Sequence, residues 1–120
     1  MLITSFGGSS VLVFLFEDRP FSQPRALIGG HVLSSIAGLA VMQALGTGPV
    51  ALGIGVAAAI GLMLATRTLH PPAAADPLIA ITEVAGWSFV LAPVLAGSLV
   101  VTAGALLTHQ IRQRGSYPVR

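Results

Sequence analysis

The fold is decided by the stretch Arg67-Thr68-Leu69-His70-Pro71-Pro72-Ala73-Ala74-Ala75-Asp76-Pro77, which follows an uncharged apolar run over residues 49–66. Pro71 and Pro72 lack backbone N–H donors, and their rings prevent a continuous helix. In a lipid bilayer, an interrupted backbone is stable only where protein or a water-filled cavity covers it. The stretch therefore predicts a broken segment at membrane depth, which is where transporters commonly hold their substrates.

The composition places the chain in a membrane. Hydrophobic residues make up 54% of the 120 positions and charged residues only 8%, whereas soluble domains carry roughly 25% charged residues. We therefore expect a single membrane domain over residues 1–120, in contact with lipid and without a surface for nucleic acid. The chain has no cysteine, and no pair of histidines has metal-ligand spacing, so we predict no metal and no other cofactor.

Three apolar stretches have about the length needed to cross a bilayer, namely residues 24–45, 49–66 and 87–108. Two further apolar segments, about 2–16 and 71–85, are too short for a regular crossing. Each short segment opens with small or helix-breaking residues and precedes a long helix, which is a weak internal repeat of the kind found in transporters. Small residues at every fourth position, Gly30-Ser34-Gly38 and Gly53-Ala57-Gly61, predict closely packed helix faces.

The arginines indicate how the short segments run. If both cross the membrane as broken helices, all six basic residues of the chain lie on one side, as the positive-inside rule favours. The predicted fold is therefore an all-α membrane protein with three long transmembrane helices and two short broken segments. This arrangement corresponds to a three-plus-three inverted repeat that lacks its first helix.

Several blocks of the sequence together resemble the HPP family of integral membrane proteins. These blocks are Phe6-Gly7-Gly8-Ser9-Ser10, Pro20-Phe21-Ser22-Gln23-Pro24-Arg25, Ile28-Gly29-Gly30-His31, Arg67-Thr68-Leu69-His70-Pro71-Pro72 and Arg114-Gly115-Ser116-Tyr117-Pro118. They occur in the family's order over nearly the whole chain. The sequence departs from the family pattern at Ser5, where a proline is usual, and at Ala74-Ala75-Asp76, where glycine is more frequent.

The resemblance implies a transporter or channel for a small inorganic anion such as nitrite, because nitrite transport is associated with plastid and cyanobacterial members. Proton coupling is left open. We expect a multi-pass protein of the bacterial inner membrane that forms a homo-oligomer. The alternative is a structural or regulatory membrane subunit that acts only in an oligomer or together with the missing first helix. An enzyme is not expected, since no nucleophile and base show a characteristic spacing.

The first broken segment carries candidate substrate ligands. Gly7 and Gly8 permit a close backbone approach, and Ser9 and Ser10 add hydroxyl groups. At the start of a helix, these residues direct N–H donors and a partial positive charge toward an anion. The alternative is that the cluster merely caps a short helix.

The second broken segment contributes Arg67, His70, Pro71 and Pro72 as candidate pathway residues. Arg67 and His70 are three positions apart, so a helix would project both from one side. Arg67 is either part of the substrate pathway or an anchor at the membrane surface. His70 either contacts the substrate and relays a proton or caps the end of a helix.

Two more polar residues are candidates. Asp76 is the predicted ion-pair partner of Arg67 or His70, and its alternative role is to cap the helix that starts after Pro77. His31, with Ser34 and Ser35 beside it, either lines a path or forms a hydrogen bond to a neighbouring helix.

Overall fold

The computed structural model describes residues 4–112 and 117–118, and every regular element within them is helical. Five α-helices are joined by short turns. They are α1 (Ser5–Leu15), α2 (Pro24–Leu45), α3 (Pro49–Ala65), α4 (Asp76–Thr82) and α5 (Ala96–Ile111). Single 3₁₀ segments occupy Pro20–Ser22 and Pro71–Ala75, and a wide helical turn over Val90–Leu95 leads into α5.

Within the described part of the chain, two helical stretches are long and apolar enough to cross a membrane, Pro24–Leu45 and Val90–Ile111. The first has the predicted bounds. The second begins three residues after the predicted start and continues to Ile111. The third predicted span is α3, which has 17 residues and is shorter than a full crossing. Two of the three predicted long helices are therefore long and apolar enough to span a membrane, and the third is not. The inverted repeat stays a prediction.

The sequence analysis missed an interruption in the last span. Ala92 has an extended backbone, with φ −141° and ψ 122°, and Pro93 follows it inside the helix. Proline removes a backbone donor and crowds the preceding turn, which accounts for a bend at this point. The signal was present in the sequence, because Pro93 lies inside the predicted span over residues 87–108.

The double proline breaks the chain as predicted. Pro71 and Pro72 occupy the first turn of a 3₁₀ segment, where a missing N–H costs nothing, and α4 follows directly. Asp76 is the acidic residue in the first turn of α4, where a negative charge is stabilised. The segment predicted over residues 71–85 is therefore a short 3₁₀ stretch followed by two turns of α-helix.

Helices α3 and α4 end in the same way. After α3, the N–H of Thr68 donates to the carbonyl of Met63 and the N–H of Arg67 donates to that of Leu64. This is the Schellman motif, which places Arg67 in the left-handed region at φ 55°. After α4, Ala85 and Val84 form the equivalent bonds, and Val84 has φ 49°.

The described arginines gather at one end of the molecule. Arg25 donates to the carbonyl of Thr66, so the start of α2 lies beside the end of α3 and beside Arg67. The end of α5, which carries Arg112, lies at the same end, because His109 bonds to the carbonyl of Val13 in α1. A broken segment that crosses the membrane would give this arrangement, and the crossing itself stays a prediction. Arg114 and Arg120 lie outside the described residues.

Helix α2 is the centre of the fold and packs against α3, α4, α5 and both 3₁₀ segments. The predicted face of Gly30, Ser34 and Gly38 is confirmed as a close contact. A Cβ atom on Gly30 would lie 2.8 Å from the Cβ of His70, and one on Gly38 would lie 2.6 Å from the Cα of Pro77. The glycines therefore allow the broken segment to lie directly on α2.

The second predicted face is not used for packing inside the chain. Gly53, Ala57 and Gly61 are exposed, and a Cβ on either glycine would meet no atom within 4 Å. Helix α3 instead buries the neighbouring row of Ala51, Gly55, Ala59 and Met63 against the rest of the protein.

The outer surface is strongly apolar. Val50, Val100 and Ile111 are each 70% or more exposed, and Leu15 and Leu91 are exposed to a similar extent. Large apolar side chains in such numbers on the outside are typical of a surface covered by lipid, because a soluble protein rarely exposes contiguous apolar patches of this kind.

Two glycine substitutions test this packing. Gly38→Ala places a methyl group against the backbone of Pro77 and is expected to destabilise the protein by about 1–3 kcal/mol. Gly104→Ala is the matched control, since its methyl group would meet only the ring edge of Phe14 at 3.9 Å and should stabilise the helix by about 0.5–1 kcal/mol. Unfolding in detergent, followed by circular dichroism, measures both. Equal effects of the two substitutions would contradict the packing described.

Candidate functional site

An aspartate and a histidine form a buried pair at the centre of the molecule. The Oδ2 atom of Asp76, in α4, lies 2.6 Å from Nδ1 of His31, in α2. The hydroxyl of Ser5, in α1, donates to Oδ1 of Asp76 at 2.6 Å, and Ser35 approaches Oδ2 at 3.4 Å. Both Asp76 and His31 are 0% exposed. One carboxyl group therefore joins three helices.

A serine hydroxyl connects this pair to a second histidine. Oγ of Ser9 lies 2.8 Å from Nε2 of His31 and 2.7 Å from Nε2 of His70. The carbonyl of Ser5, one turn earlier in α1, is a third neighbour at 3.2 Å. The two imidazole rings are close as well, with their centroids 5.1 Å apart.

The second histidine ends the chain of hydrogen bonds. Nδ1 of His70 lies 2.6 Å from the carbonyl oxygen of Phe21. We refer to Ser5, Asp76, His31, Ser9 and His70 as the polar network. It runs unbroken, in that order, through α1, α2 and the broken segment.

The local structure explains how these side chains come together. Ser5 and Ser9 are one helical turn apart, so both project from the same face of α1. The break at Pro71 and Pro72 turns the chain between His70 and Asp76, so both residues approach α2. Ser34 of α2 also donates to the carbonyl of Ala73 and fixes the 3₁₀ segment against the helix.

The network is satisfied internally. Among the described residues, the buried side-chain atoms without a partner are Ser22 Oγ, Thr102 Oγ1 and His109 Nδ1, and none belongs to the network. Burying a charged or polar group is costly unless its hydrogen bonds are completed. The contacts of Asp76 and the two histidines meet this requirement within the protein.

An open cavity of about 630 Å³ lies against the network. Its lining includes Ser5, Gly8, Phe21, Pro71 and Pro72. The wall is mostly apolar, and Ser5 is the member of the network that reaches it. A Cβ on Gly8 would lie 3.2 Å from the ring of Pro72, so the glycine allows the two broken segments to meet beside the cavity.

The structure brings together most of the predicted site residues. Ser9, His31, His70 and Asp76 form the network, and Gly8, Pro71 and Pro72 line the cavity. For His31, the predicted hydrogen bond to a neighbouring element is confirmed. For Asp76, the predicted partners Arg67 and His70 are wrong, because its carboxyl group instead contacts Nδ1 of His31.

Arg67 and His70 do not share a helix face, contrary to the expectation. Helix α3 ends at Ala65, and the left-handed conformation of Arg67 turns the chain. Arg67 is exposed and lines a separate cavity of about 240 Å³ with Phe21 and Leu69, whereas His70 is 0% exposed.

The predicted cradle of backbone donors at Gly7–Ser10 does not form. Helix α1 begins at Ser5, so these residues lie inside it, and the N–H of Gly7 donates to Thr4. Gly7 is exposed, and the hydroxyl of Ser10 donates back to the carbonyl of Phe6. Ser9 contributes its side chain instead.

Sequence reasoning did not identify Ser5 as a site residue. Its position one helical turn before Ser9 was the available signal, because a buried face in a short helix repeats at this spacing. Ser35 was noted only as a neighbour of His31, and its contact with Asp76 depends on how α4 packs on α2.

Removing the central carboxylate tests whether the pair holds the fold together. Asp76→Ala leaves Nδ1 of His31 and the hydroxyl of Ser5 without partners, and breaking a buried pair in this way costs about 3–5 kcal/mol. The control is Asp18→Ala, whose 3.9 Å pair with Arg19 is largely exposed and should contribute less than about 1 kcal/mol. Denaturation in detergent compares them, and a loss for Asp76→Ala no larger than the control would contradict the assignment.

Known proteins are similar to this chain over almost its whole length. The sequence model described as HPP, transmembrane region, matches residues 1–118. Two transmembrane proteins of Dictyostelium discoideum are 36% and 33% identical, over 99% and 98% of this chain. The chain spans less than half of their length, 45% and 40% respectively. No solved structure matches it. The chain belongs to the HPP family of transmembrane proteins.

Proposed function

We propose that this protein carries a small inorganic anion such as nitrite across the membrane, together with a proton. The observation that carries the proposal is the buried chain of Asp76, His31, Ser9 and His70 beside an open cavity. Ionisable side chains inside a membrane protein are costly and are characteristic of substrate paths and proton relays. No catalytic role is proposed for them.

The cavity supports a binding role for the two broken segments. Its lining combines the apolar rings of Pro71, Pro72 and Phe21 with the hydroxyl of Ser5. A pocket that is mostly apolar, with few polar groups, is the usual form of a site for a small ligand. Gly8, Pro71 and Pro72, which the sequence singled out, lie at this cavity.

The position of Asp76 favours proton coupling over passive flow of the anion. Ser5 separates the cavity from this carboxyl group by one hydrogen bond of 2.6 Å. A bare anion is repelled by a nearby carboxylate, and the repulsion is strong where the dielectric constant is low. A proton that accompanies the anion removes this repulsion, and nitrite is the conjugate base of a weak acid.

The membrane and the oligomeric state of the protein belong to the same proposal. We propose a multi-pass protein of the bacterial inner membrane that assembles as a homo-oligomer and binds no nucleic acid. The exposed row of Gly53, Ala57 and Gly61 supports the oligomer, because small residues at this spacing allow membrane helices to approach closely.

One observation favours a second candidate, a structural or regulatory membrane subunit. Asp76, His31 and His70 are all 0% exposed, and their contacts are completed within the protein. A buried and satisfied pair of this kind also serves to specify one arrangement of helices. In this alternative, the network holds the broken segments in place and nothing passes the cavity.

Flux measurements separate the two candidates. In proteoliposomes loaded with a pH-sensitive dye, the wild-type protein is expected to acidify the lumen when nitrite is added outside. Ser9→Ala and His70→Ala should reduce the rate by roughly 100-fold, as expected when a proton-transfer group is removed. Arg67→Ala should have a small effect, since Arg67 lies outside the network.

The matched control is Ser98→Ala, which removes a buried hydroxyl that donates only to the carbonyl of Leu95. It should leave the rate unchanged. Absence of flux for nitrite, nitrate, formate and chloride in the wild-type protein would contradict the transport proposal and favour the subunit. Flux that the network variants leave intact would show that the substrate follows another route.

Crosslinking tests the oligomer. The chain has no cysteine, so Gly61→Cys and Gly55→Cys each introduce a single thiol. A disulfide-linked dimer is expected for Gly61→Cys, whose position is exposed, and not for Gly55→Cys, whose position faces Ile81 inside the chain. Gel electrophoresis without reductant after oxidation in membranes measures this, and monomers for both would contradict the proposed face.

A further inference from the structure

The hydrogen bonds of the network limit where its protons can lie. The carbonyl oxygen of Phe21 can only accept, so Nδ1 of His70 carries a proton. A carbonyl group cannot pass a proton on, so the network ends at this bond. At the other end, Ser5 donates its own proton to Oδ1 of Asp76.

The Ser9 hydroxyl has one proton and contacts a ring nitrogen of each of two histidines. When His70 is neutral, its Nε2 is an acceptor, and the hydroxyl of Ser9 must donate to it at 2.7 Å. Ser9 then has no proton left for Nε2 of His31, which lies 2.8 Å away. His31 must therefore donate to Ser9, so its Nε2 carries a proton. The carbonyl of Ser5 competes for the Ser9 proton only at 3.2 Å.

The count of protons follows from this arrangement. With Nε2 of His31 protonated, one further proton lies between Nδ1 of His31 and Oδ2 of Asp76. Either His31 is an imidazolium beside a carboxylate, or a neutral His31 accepts from a protonated Asp76. The network has no net charge in both cases, which suits its complete burial.

A mirror arrangement uses the same contacts. If His70 carries protons on both ring nitrogens, it donates to Ser9, and Ser9 donates to Nε2 of a neutral His31. Nδ1 of His31 then donates to the Asp76 carboxylate. We infer that Ser9 is a proton switch between His31 and His70, and that the network holds one transferable proton whose location depends on the direction of the Ser9 hydroxyl.

The transfer moves two protons in one step and leaves the number of protons in the network unchanged. Ser9 gives its hydroxyl proton to Nε2 of His70 and, in the same step, takes the proton from Nε2 of His31. The O–H bond of Ser9 is broken and re-formed, His31 becomes neutral and His70 becomes an imidazolium. The hydroxyl then points toward His31, so the reverse transfer needs no rotation and restores the first arrangement. Ser5, at the cavity, is where the Asp76 end of the network meets the substrate.

The protonation states of the histidines in the network can be measured without a transport assay. Only the link between the switch and anion movement rests on the proposed function. Solid-state nuclear magnetic resonance of protein labelled with ¹⁵N-histidine, in lipid bilayers, reports which ring nitrogens are protonated. The chain has three histidines. His109 provides an internal reference, because its Nε2 donates to the carbonyl of Val13 and must be protonated.

For the wild-type protein, we expect one protonated and one unprotonated Nε2 among His31 and His70, or two signals that exchange with each other. In Ser9→Ala, His70 should keep a proton on Nδ1 alone, and the exchange should be lost. Ser9→Thr keeps the hydroxyl and should restore the wild-type pattern. An unchanged His109 signal shows that each variant is folded.

Two results would overturn the inference. One is an unprotonated Nε2 on both histidines in the wild-type protein, which leaves no proton to transfer. The other is a Ser9→Ala spectrum identical to that of the wild type with a normal His109 signal. If the histidine ring nitrogens are protonated as expected but no anion flux is found, the proton switch stands and the transport proposal fails. The two failures are therefore distinguishable.

Discussion

The structure depends on one constraint, the cost of burying the Asp76 carboxyl group inside a membrane protein. A carboxylate in such surroundings needs a partner and completed hydrogen bonds. His31 and Ser5 supply them at 2.6 Å each. Because these partners lie on α2 and α1, satisfying one side chain fixes the relative positions of three helices. The histidines and Ser9 extend the same requirement to the broken segment.

The backbone is arranged to meet this requirement. The double proline begins a 3₁₀ segment in place of regular α-helix between His70 and Asp76, and the Schellman motif at Arg67 turns the chain back toward α2. Gly30 and Gly38 then allow the returning segment to lie against the α2 backbone, where side chains would collide. The close packing of small residues thus brings the polar network together and keeps it away from lipid.

Local features of the fold were predictable from sequence. The bounds of the first long helix follow from Pro24 and the Gly46-Thr47-Gly48 turn, and the break follows from Pro71 and Pro72, because proline acts on its immediate neighbours. Pro93 carries the same information, although its effect was overlooked. Arg67 is exposed because its own left-handed backbone turns the chain after α3. Glycine usually occupies this position of a Schellman motif, so an arginine there does not indicate the turn in the sequence.

The site was predictable as a set of residues but not as a set of contacts. Ser9, His31, His70 and Asp76 stand out as polar groups in an apolar chain. Which of them pair depends on the register between α1, α2 and the broken segment, and this register is set by packing between residues far apart in sequence. Ser5 and Ser35 gain their roles from that register alone, since an isolated serine in a helix has no distinctive pattern.

A double-mutant cycle on His31 and Asp76 tests this account most directly. The free energy of unfolding in detergent would be measured for the wild type, His31→Ala, Asp76→Ala and the double variant. The account predicts a coupling energy of at least about 1 kcal/mol, since the two side chains share a buried hydrogen bond. Losses that add to within about 0.5 kcal/mol would show that the pair does not organise the fold.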